Sequence, residues 1–334
     1  MYKIVLTLGI FAMMSGNISA NEEDLIKFED SKVKQICVDK WDANGDGEIS
    51  IGEVSDLTTL DGAFRFYGNI TSFNEFKYFT SIKKIERTEF CSCAMLEKIT
   101  LPESIEEIDY GAFKQCRSLK NIVLPQSLKT MGQYCFNMCD ALEAIAIPDK
   151  VEFIPDEAFS DCPSIKDIKF GSAVKTLGLD AFMGCKSLEK VVFGSAVETI
   201  GQWAFSGCTS LKEVVIPASV KNIQNGAFSW INVEKVKLYS TTGDIDCADS
   251  GLINENISLY VPEGTKAMYE AHEYFGKAKE IIEFLPEVTG IDNAAADSKT
   301  AVIYSVSGKK LDKMQHGVNI VKYSDGTLKK VMVK

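Results

Sequence analysis

A twelve-residue segment near the start of the chain, DANGDGEISIGE, has the residue types and spacing of a cation-binding loop. Oxygen-bearing side chains occur at alternate positions, where they can surround one ion, and Gly47 allows a sharp turn between them. The final Glu53 can add two carboxylate oxygens. The expected ligands are Asp42, Asn44, Asp46, Glu48 through its backbone carbonyl, Ser50 through a bridging water, and Glu53.

The complete pattern is that of an EF-hand loop, and its hard oxygen ligands favour Ca²⁺. The alternative interpretation is a polar turn that binds no metal. Because the loop is single, a duplicated calcium sensor is not indicated. We expect a weak structural Ca²⁺ site, with a dissociation constant of about 10⁻⁴–10⁻³ M, that pins N-terminal helices over the first unit of the fold behind it.

The composition argues against several other kinds of chemistry. The chain has 334 residues and a formal net charge of −11, so it would repel a nucleic-acid backbone. Its two histidines, His272 and His316, are too few for a histidine-based metal centre. We find no nucleophile elbow, phosphate loop or paired carboxylates with a cleft, and we therefore expect a protein that is not an enzyme.

A repeat of 23 residues organises the middle of the chain. Several apolar columns share this period, so each unit can bury its apolar side chains only against its neighbours, as in a solenoid. The aromatic column is Phe90, Phe113, Phe136, Phe159, Phe182, Phe205 and Phe228. The thiol column is Cys93, Cys116, Cys139, Cys162, Cys185 and Cys208.

Within a unit, segments such as SLKEVVIP have the alternation of a strand and the spacing of a leucine-rich repeat. We predict an α+β, mostly β fold: a leucine-rich-repeat solenoid of 23-residue coils with a helical N-terminal cap and a small C-terminal β module. A column of charges with alternating sign supports in-register stacking, because opposite charges would then lie side by side. That column is Glu97, Lys120, Glu143, Lys166, Glu189, Lys212 and Glu234.

The repeat resembles the BspA-like leucine-rich repeats of bacterial surface proteins, of the Bacteroidetes type. The resemblance rests on the pattern in IEEIDYGAFKQCRSLKNIVLP, residues 105–125, and covers roughly residues 81–239. It implies a cell-surface protein, and some members of the family adhere to host extracellular-matrix proteins. Fold alone does not establish such a function.

The ten cysteines of the chain invite a disulfide framework, but the repeat argues against one. A cysteine at one position of every coil serves as a small buried apolar residue, and stacked side chains point in parallel rather than toward each other. We therefore predict free thiols. The closely spaced pairs Cys91/Cys93 and Cys135/Cys139 leave a bridge or a metal open.

The chain divides into six segments by composition and pattern. Residues 1–20 have the short apolar run and small-residue end of a signal peptide, which predicts a secreted or outer-surface protein. The C-terminal strands resemble small β modules of secreted Bacteroidetes proteins, some of which are sorting signals; a plain β appendage is the alternative. The predicted segments are signal peptide 1–20, helical region with the loop 21–70, solenoid 71–240, cap 241–285, linker 286–300 and β module 301–334.

The outward columns of the predicted sheet form the expected binding surface, since solenoids use such faces. The alternative is that these residues only reflect strand propensity. Tyr134 and Trp203 could anchor a partner at a rim or pack over the coil edge. The candidate partner-binding residues are Lys98, Thr100, Asn121, Val123, Lys169, Lys190, Val192, Val215, Tyr134 and Trp203.

The sequence therefore predicts a secreted or surface-attached adhesion protein that uses its sheet face to bind protein, with a host matrix protein as the expected ligand. The alternative is a polysaccharide-capture protein or a structural component of the envelope. No further stretch approaches the length of a membrane span after signal cleavage.

Overall fold

The computed structural model describes residues 24–247 and 250–285, together with the backbone of four C-terminal strands. The predicted signal peptide and linker lie outside the described residues. In the described part, no helix is both long and apolar enough to cross a membrane.

The N-terminal region contains two short helices, α1 (Ser31–Trp41) and α2 (Ile51–Ser55). Asp30 caps α1 by accepting the amide of Lys32 at 2.8 Å. The other carboxylate oxygen of Asp30 accepts hydrogen bonds from Thr71, from its amide at 2.6 Å and its hydroxyl at 2.8 Å. One carboxylate thus satisfies a free helix end and ties the helix to the first coil.

Two stacks of parallel strands follow, and each coil contributes a strand to one or both. In both stacks, partners are 23 residues apart where the repeat is regular; Val191 pairs with Val214, for example. The long-strand stack contains Ser72–Phe73, Lys98–Ile99, Ala144–Ala146, Asp167–Lys169, Lys190–Val192, Glu213–Ile216, Lys235–Leu238, Ser258–Pro262 and Glu280–Phe284. The short-strand stack contains Lys84–Ile85, Glu107–Ile108, Thr130–Met131, Phe153–Ile154, Thr176–Leu177, Thr199–Ile200 and Asn222–Ile223. The predicted mostly β solenoid is thereby confirmed.

Each coil has three sides: two face the strand stacks, and the third is formed by turns and is called the turn side here. The phenylalanine column lies fully buried along the turn side. From Phe90 to Phe228, neighbouring ring centroids are 5.1–5.5 Å apart and the rings are within 9° of parallel. The column also has an eighth member. Phe64 stacks on Phe90 at 5.5 Å, although it precedes Phe90 by 26 residues rather than 23.

Each repeat cysteine is a free, buried thiol with a hydrogen-bonding role. The Sγ of Cys116 lies 3.1 Å from the carbonyl oxygen of Phe90 in the preceding coil, and Cys139 makes the same contact with Phe113 at 3.3 Å. Burial raises the pKa of the Cys116 thiol, so it stays protonated and can donate. The prediction of free thiols is confirmed, and the close pairs Cys91/Cys93 and Cys135/Cys139 are free as well.

The long-strand stack continues past the last regular repeat. Strands Ser258–Pro262 and Glu280–Phe284 add to it in parallel, although the sequence period ends near residue 240. The helix α3 (Lys266–Ala271) connects them. Buried Tyr269 donates its hydroxyl to the carbonyl of Ser240 at 2.8 Å, so the helix closes the end of the stack.

Farther along the chain, four strands form a separate antiparallel sheet. All four lie within residues 301–334, the predicted β module. The strands are Val302–Ser305, Lys310–Leu311, Gly317–Lys322 and Leu328–Val333.

We predict that Phe159→Ala destabilises the protein by about 3–5 kcal/mol, because it opens a cavity in the middle of the ring stack. Urea denaturation followed by circular dichroism measures the change. Phe153→Ala is the matched control, since Phe153 lies in the same coil but is 46% exposed. Its cost should stay within about 0.5 kcal/mol. Equal stability of the two variants would contradict the buried column.

Candidate binding surface

The outward side of the long-strand stack, which we call the sheet face, displays two columns of side chains. Inward and outward residues alternate along each strand, so the columns stand on either side of the buried one. The first column is Lys98, Asn121, Ala144, Asp167, Lys190 and Glu213. The second is Thr100, Val123, Ala146, Lys169, Val192 and Val215. Eight of the ten predicted binding residues therefore share this face.

Apolar side chains on the sheet face are open to solvent. Val123 is 81% exposed and Val192 is 49% exposed, whereas Val215 is half-buried. Val123 and Val192 are three coils apart in one column, which corresponds to roughly 14 Å at the usual strand spacing. An extended partner lying across the strands could contact both.

The sheet face combines these apolar residues with unpaired positive charge. Lys190 forms an ion pair with Glu213 at 3.0 Å. Lys98 and Lys169 are exposed and make no ion pair within the described residues. In a chain of net charge −11, these lysines favour a partner that offers carboxylates or carbonyl oxygens.

Tyr134 and Trp203 do not join the sheet face; they lie on the turn side at left-handed backbone positions, with φ of 60° and 54°. Tyr134 packs beside Tyr110, with ring centroids 5.2 Å apart, and its hydrogen bond to Glu157 raises the pKa of the Tyr134 hydroxyl to about 12. The Trp203 indole lies against the backbone of Gly226 in the next coil, where an added Cβ would be 2.2 Å from Cδ1.

Another exposed aromatic residue, Trp230, is absent from the sequence-based selection. It is 81% exposed, more than either Tyr134 or Trp203, and lies on the same turn side. Its position follows from the repeat, since it stands 23 residues after Gly207. The signal was obscured because the aligned positions of earlier coils hold no aromatic residue.

The predicted cation-binding loop closes on itself through hydrogen bonds. Asp42 accepts the amides of Gly45 at 2.7 Å and Gly47 at 2.9 Å. Glu53 accepts the amide of Ala43 at 2.9 Å, which holds its carboxylate at the beginning of the loop. Gly45 and Gly47 have φ of 74° and 80°, as the tight turn requires.

The loop fits a hard cation in its donor chemistry, since the side chains of Asp42, Asn44, Asp46 and Glu53 present only carboxylate and amide oxygens. The side chain of Glu48 faces away and pairs with Lys34, which leaves only its backbone carbonyl for a ligand. Ser50 caps α2 together with Glu53. In the described residues, no group of three or more histidine, cysteine or acidic side chains converges on one point.

An acidic cluster on the turn side lowers stability near neutral pH. Burial, followed by repulsion from Glu157, Asp156 and Asp161, raises the pKa of Asp180 to about 6. Its Oδ1 is buried without a hydrogen-bond partner in the described residues. Because the folded state holds this proton more tightly than the unfolded state, stability should fall as pH rises from about 4 to about 6.

We predict that Asp180→Asn raises the melting temperature at pH 7. We also predict that the melting temperature of the variant falls less between pH 4 and pH 6 than that of the parent protein. Asparagine keeps the shape and tolerates the left-handed backbone of this position, where φ is 53°. Thermal melts across this pH range provide the measurement. Asp167→Asn, on the exposed sheet face, is the control and should leave the slope unchanged. An Asp180→Asn variant with the parent slope would refute the assignment.

Comparison with known proteins supports the description of the repeat. The family model described as BspA type Leucine rich repeat region matches in six copies, over residues 62–189 and 175–249. No match was found among curated proteins.

Three solved bacterial structures are similar to part of this chain. A leucine-rich repeat protein from Bacteroides ovatus is 23% identical with a TM-score of 0.44; the match covers 67% of this chain and 63% of that one. A leucine-rich repeat protein from Eubacterium ventriosum is 28% identical with a TM-score of 0.45, and the match covers 48% of this chain and 43% of that one. A leucine rich cell surface protein from Faecalibacterium prausnitzii is 20% identical with a TM-score of 0.33, and the match covers 64% of this chain and 62% of that one. The chain thus spans less than two thirds of the length of each.

Proposed function

The chain belongs to the BspA-type leucine-rich repeat family, and from that premise we propose that it is a secreted or cell-surface adhesion protein whose sheet face binds other proteins. Repeats of this type are in general scaffolds for protein binding or adhesion, and they are typically not enzymes. The neighbouring protein from Faecalibacterium prausnitzii is described as a cell surface protein, which agrees with this location.

The exposed valines of the sheet face carry the proposal. Val123 is 81% exposed in the coil between strands Lys98–Ile99 and Ala144–Ala146, where burial against a partner would remove its apolar surface from water. Lys169 lies within the valine column and Lys98 in the column beside it, and both can pair with acidic groups of a partner. Lys169 and Val192 lie in strands that are held by parallel backbone pairing, so this part of the surface is preformed and loses little conformational entropy on binding.

The partner that best fits this surface is an extended segment of a host extracellular-matrix protein. Such a segment can run across successive strands and meet Val123 and Val192 in turn. Fibronectin, collagen and laminin, immobilised separately, provide the probes.

We predict that Val123→Glu combined with Val192→Glu weakens binding to the matrix protein by about tenfold or more, since it places charge at the apolar centre of the contact. Surface plasmon resonance gives the dissociation constants. Thr130→Glu introduces a glutamate at an exposed position of the short-strand stack, away from the sheet face, and should retain full affinity. The proposal fails if no matrix protein binds, or if the control loses as much affinity as the double variant.

We also propose that the loop at residues 42–53 binds one Ca²⁺ ion and stabilises the N-terminal cap. Asp42, Asn44, Asp46 and Glu53 would hold the ion with side-chain oxygens, with the Glu48 carbonyl and a water on Ser50 completing the set. The ion would supply fixed positive charge between α1 and α2. The cap would then resist unfolding and keep the first coil sealed.

We predict that about 5 mM CaCl₂ stabilises the parent protein by about 1–2 kcal/mol relative to EDTA, for a dissociation constant of about 10⁻⁴–10⁻³ M. Asp42→Ala combined with Glu53→Ala should abolish this difference. Glu48→Gln is the control, since the Glu48 side chain pairs with Lys34 outside the ligand set. Chemical denaturation in both buffers tests the site, and an undiminished calcium response in the double variant would exclude it.

A further inference from the structure

We propose that the turn side carries a second binding site, for a neutral polysaccharide, next to the last regular coils. This surface, which we call the tryptophan face, is separate from the sheet face and does not depend on its function. It consists of Trp203, Trp230, Gly207, Gly226, Gln202, Gln224, Asn225 and Asn232.

Both tryptophans are exposed at left-handed turn positions of the repeat. Trp203 is 40% exposed with φ of 54°, and Trp230 is 81% exposed with φ of 55°. The left-handed conformation comes from the repeat itself, since earlier coils adopt it at the same positions, with Tyr134 aligned to Trp203 and Met138 aligned to Trp230. The exposure is what needs a reason, because packing within the coil does not cover the Trp230 indole and a ligand could.

Glycines form the floor between the two indoles. The backbone amide of Trp203 donates to the carbonyl of Asn225 at 3.2 Å, and the amide of Gly207 donates to the carbonyl of Ser229 at 2.9 Å. These bonds place the coils of the two tryptophans side by side. Gly226 must lack a side chain because the Trp203 indole occupies that space. The two indoles therefore stand on adjacent coils, with that of Trp203 lying over Gly226, where sugar rings of one chain could contact both.

The tryptophan face has no charged residue, which sets it apart from the rest of the molecule. Segments 200–211 and 223–233 contain no Asp, Glu, Lys or Arg, whereas 25% of the chain is charged. The corresponding segment of an earlier coil, residues 108–119, contains Asp109, Lys114 and Arg117. An anionic polymer would find no counter-ion here and would meet the acidic cluster around Asp180 in the preceding coil, so we expect a neutral ligand.

Side-chain amides surround the indoles and provide hydrogen bonds. Asn232 donates to the carbonyl of Thr209 at 3.2 Å, and Gln224 accepts the amide of Gln202 at 3.0 Å. These bonds orient the two amides and leave the Asn232 oxygen and the Gln224 NH₂ group available. Asn225 is exposed, and its side chain makes no hydrogen bond within the described residues.

A pyranose ring matches this combination of groups. Its C–H face can lie on an indole, while its hydroxyls both donate and accept, as amides do. Two indoles on adjacent coils can contact successive sugar units of a chain.

Affinity electrophoresis in native gels containing dextran, laminarin, mannan or arabinoxylan tests the site with the full chain. At least one polysaccharide should retard the parent protein and change its tryptophan fluorescence. Trp230→Ala should weaken that retardation by about tenfold. Trp230→Phe should keep part of it, because a ring remains. Val123→Glu, on the sheet face, is the control and should bind as the parent does.

The high exposure of Trp230 means that its substitution should not unfold the protein, and unchanged melting temperatures verify this. The proposal is overturned if none of the four polysaccharides retards the protein, or if both Trp230→Ala and Trp203→Ala bind as tightly as the parent. It is also overturned if Trp230→Ala reduces binding to fibronectin, collagen or laminin and leaves polysaccharide binding intact.

Discussion

The structure depends on the stacking of buried phenylalanines, which no coil can accomplish alone. Between Phe90 and Phe228 each ring is covered by the rings before and after it, and the carbonyl of Phe90 accepts both the Cys93 amide and the Cys116 thiol. The ends therefore need other residues. At the first coil, the amides of Gly62 and Phe64 donate to the buried carboxylate of Glu89, whereas the corresponding amides of later coils donate to backbone carbonyls of the next coil. Tyr269 and the strands beyond it perform the corresponding role at the other end.

Alternating charge adds information about register that apolar packing lacks. The predicted column around Glu143 and Lys166 lies on the surface, and this pair is 3.7 Å apart. A second column alternates along the short-strand stack, and its amides bond from coil to coil where the stack is continuous. It runs Lys83, Glu106, Lys129, Glu152, Lys175, Glu198, Lys221 and Asp246. Each exposed pair contributes little stability. A skipped coil, however, would place like charges together along the whole column.

The regular part of the fold could be predicted because one period fixes many contacts at once. The predictions stopped where the period changes. Phe64 was missed because it stands 26 residues before Phe90 rather than 23. The last parallel strands, up to Phe284, were missed because the 23-residue repeat has ended before them. The sheet-face residues were placed together by strand alternation. Trp203 and Trp230 could not be placed so readily, because a left-handed turn rather than a strand orients them. The calcium loop remains a prediction.

The two proposed binding surfaces lie on different sides of each coil. Both are supported by the same buried phenylalanine column. Hydrogen exchange at the column tests this arrangement most directly. The amides of Phe113, Phe136, Phe159, Phe182 and Phe205 each donate to a carbonyl of the next coil at 2.8–2.9 Å. We expect all five to exchange slowly and with similar protection, because opening one coil exposes its neighbours. Exchange as fast as that of the exposed loops at these amides would contradict the stacked column and the surfaces built on it.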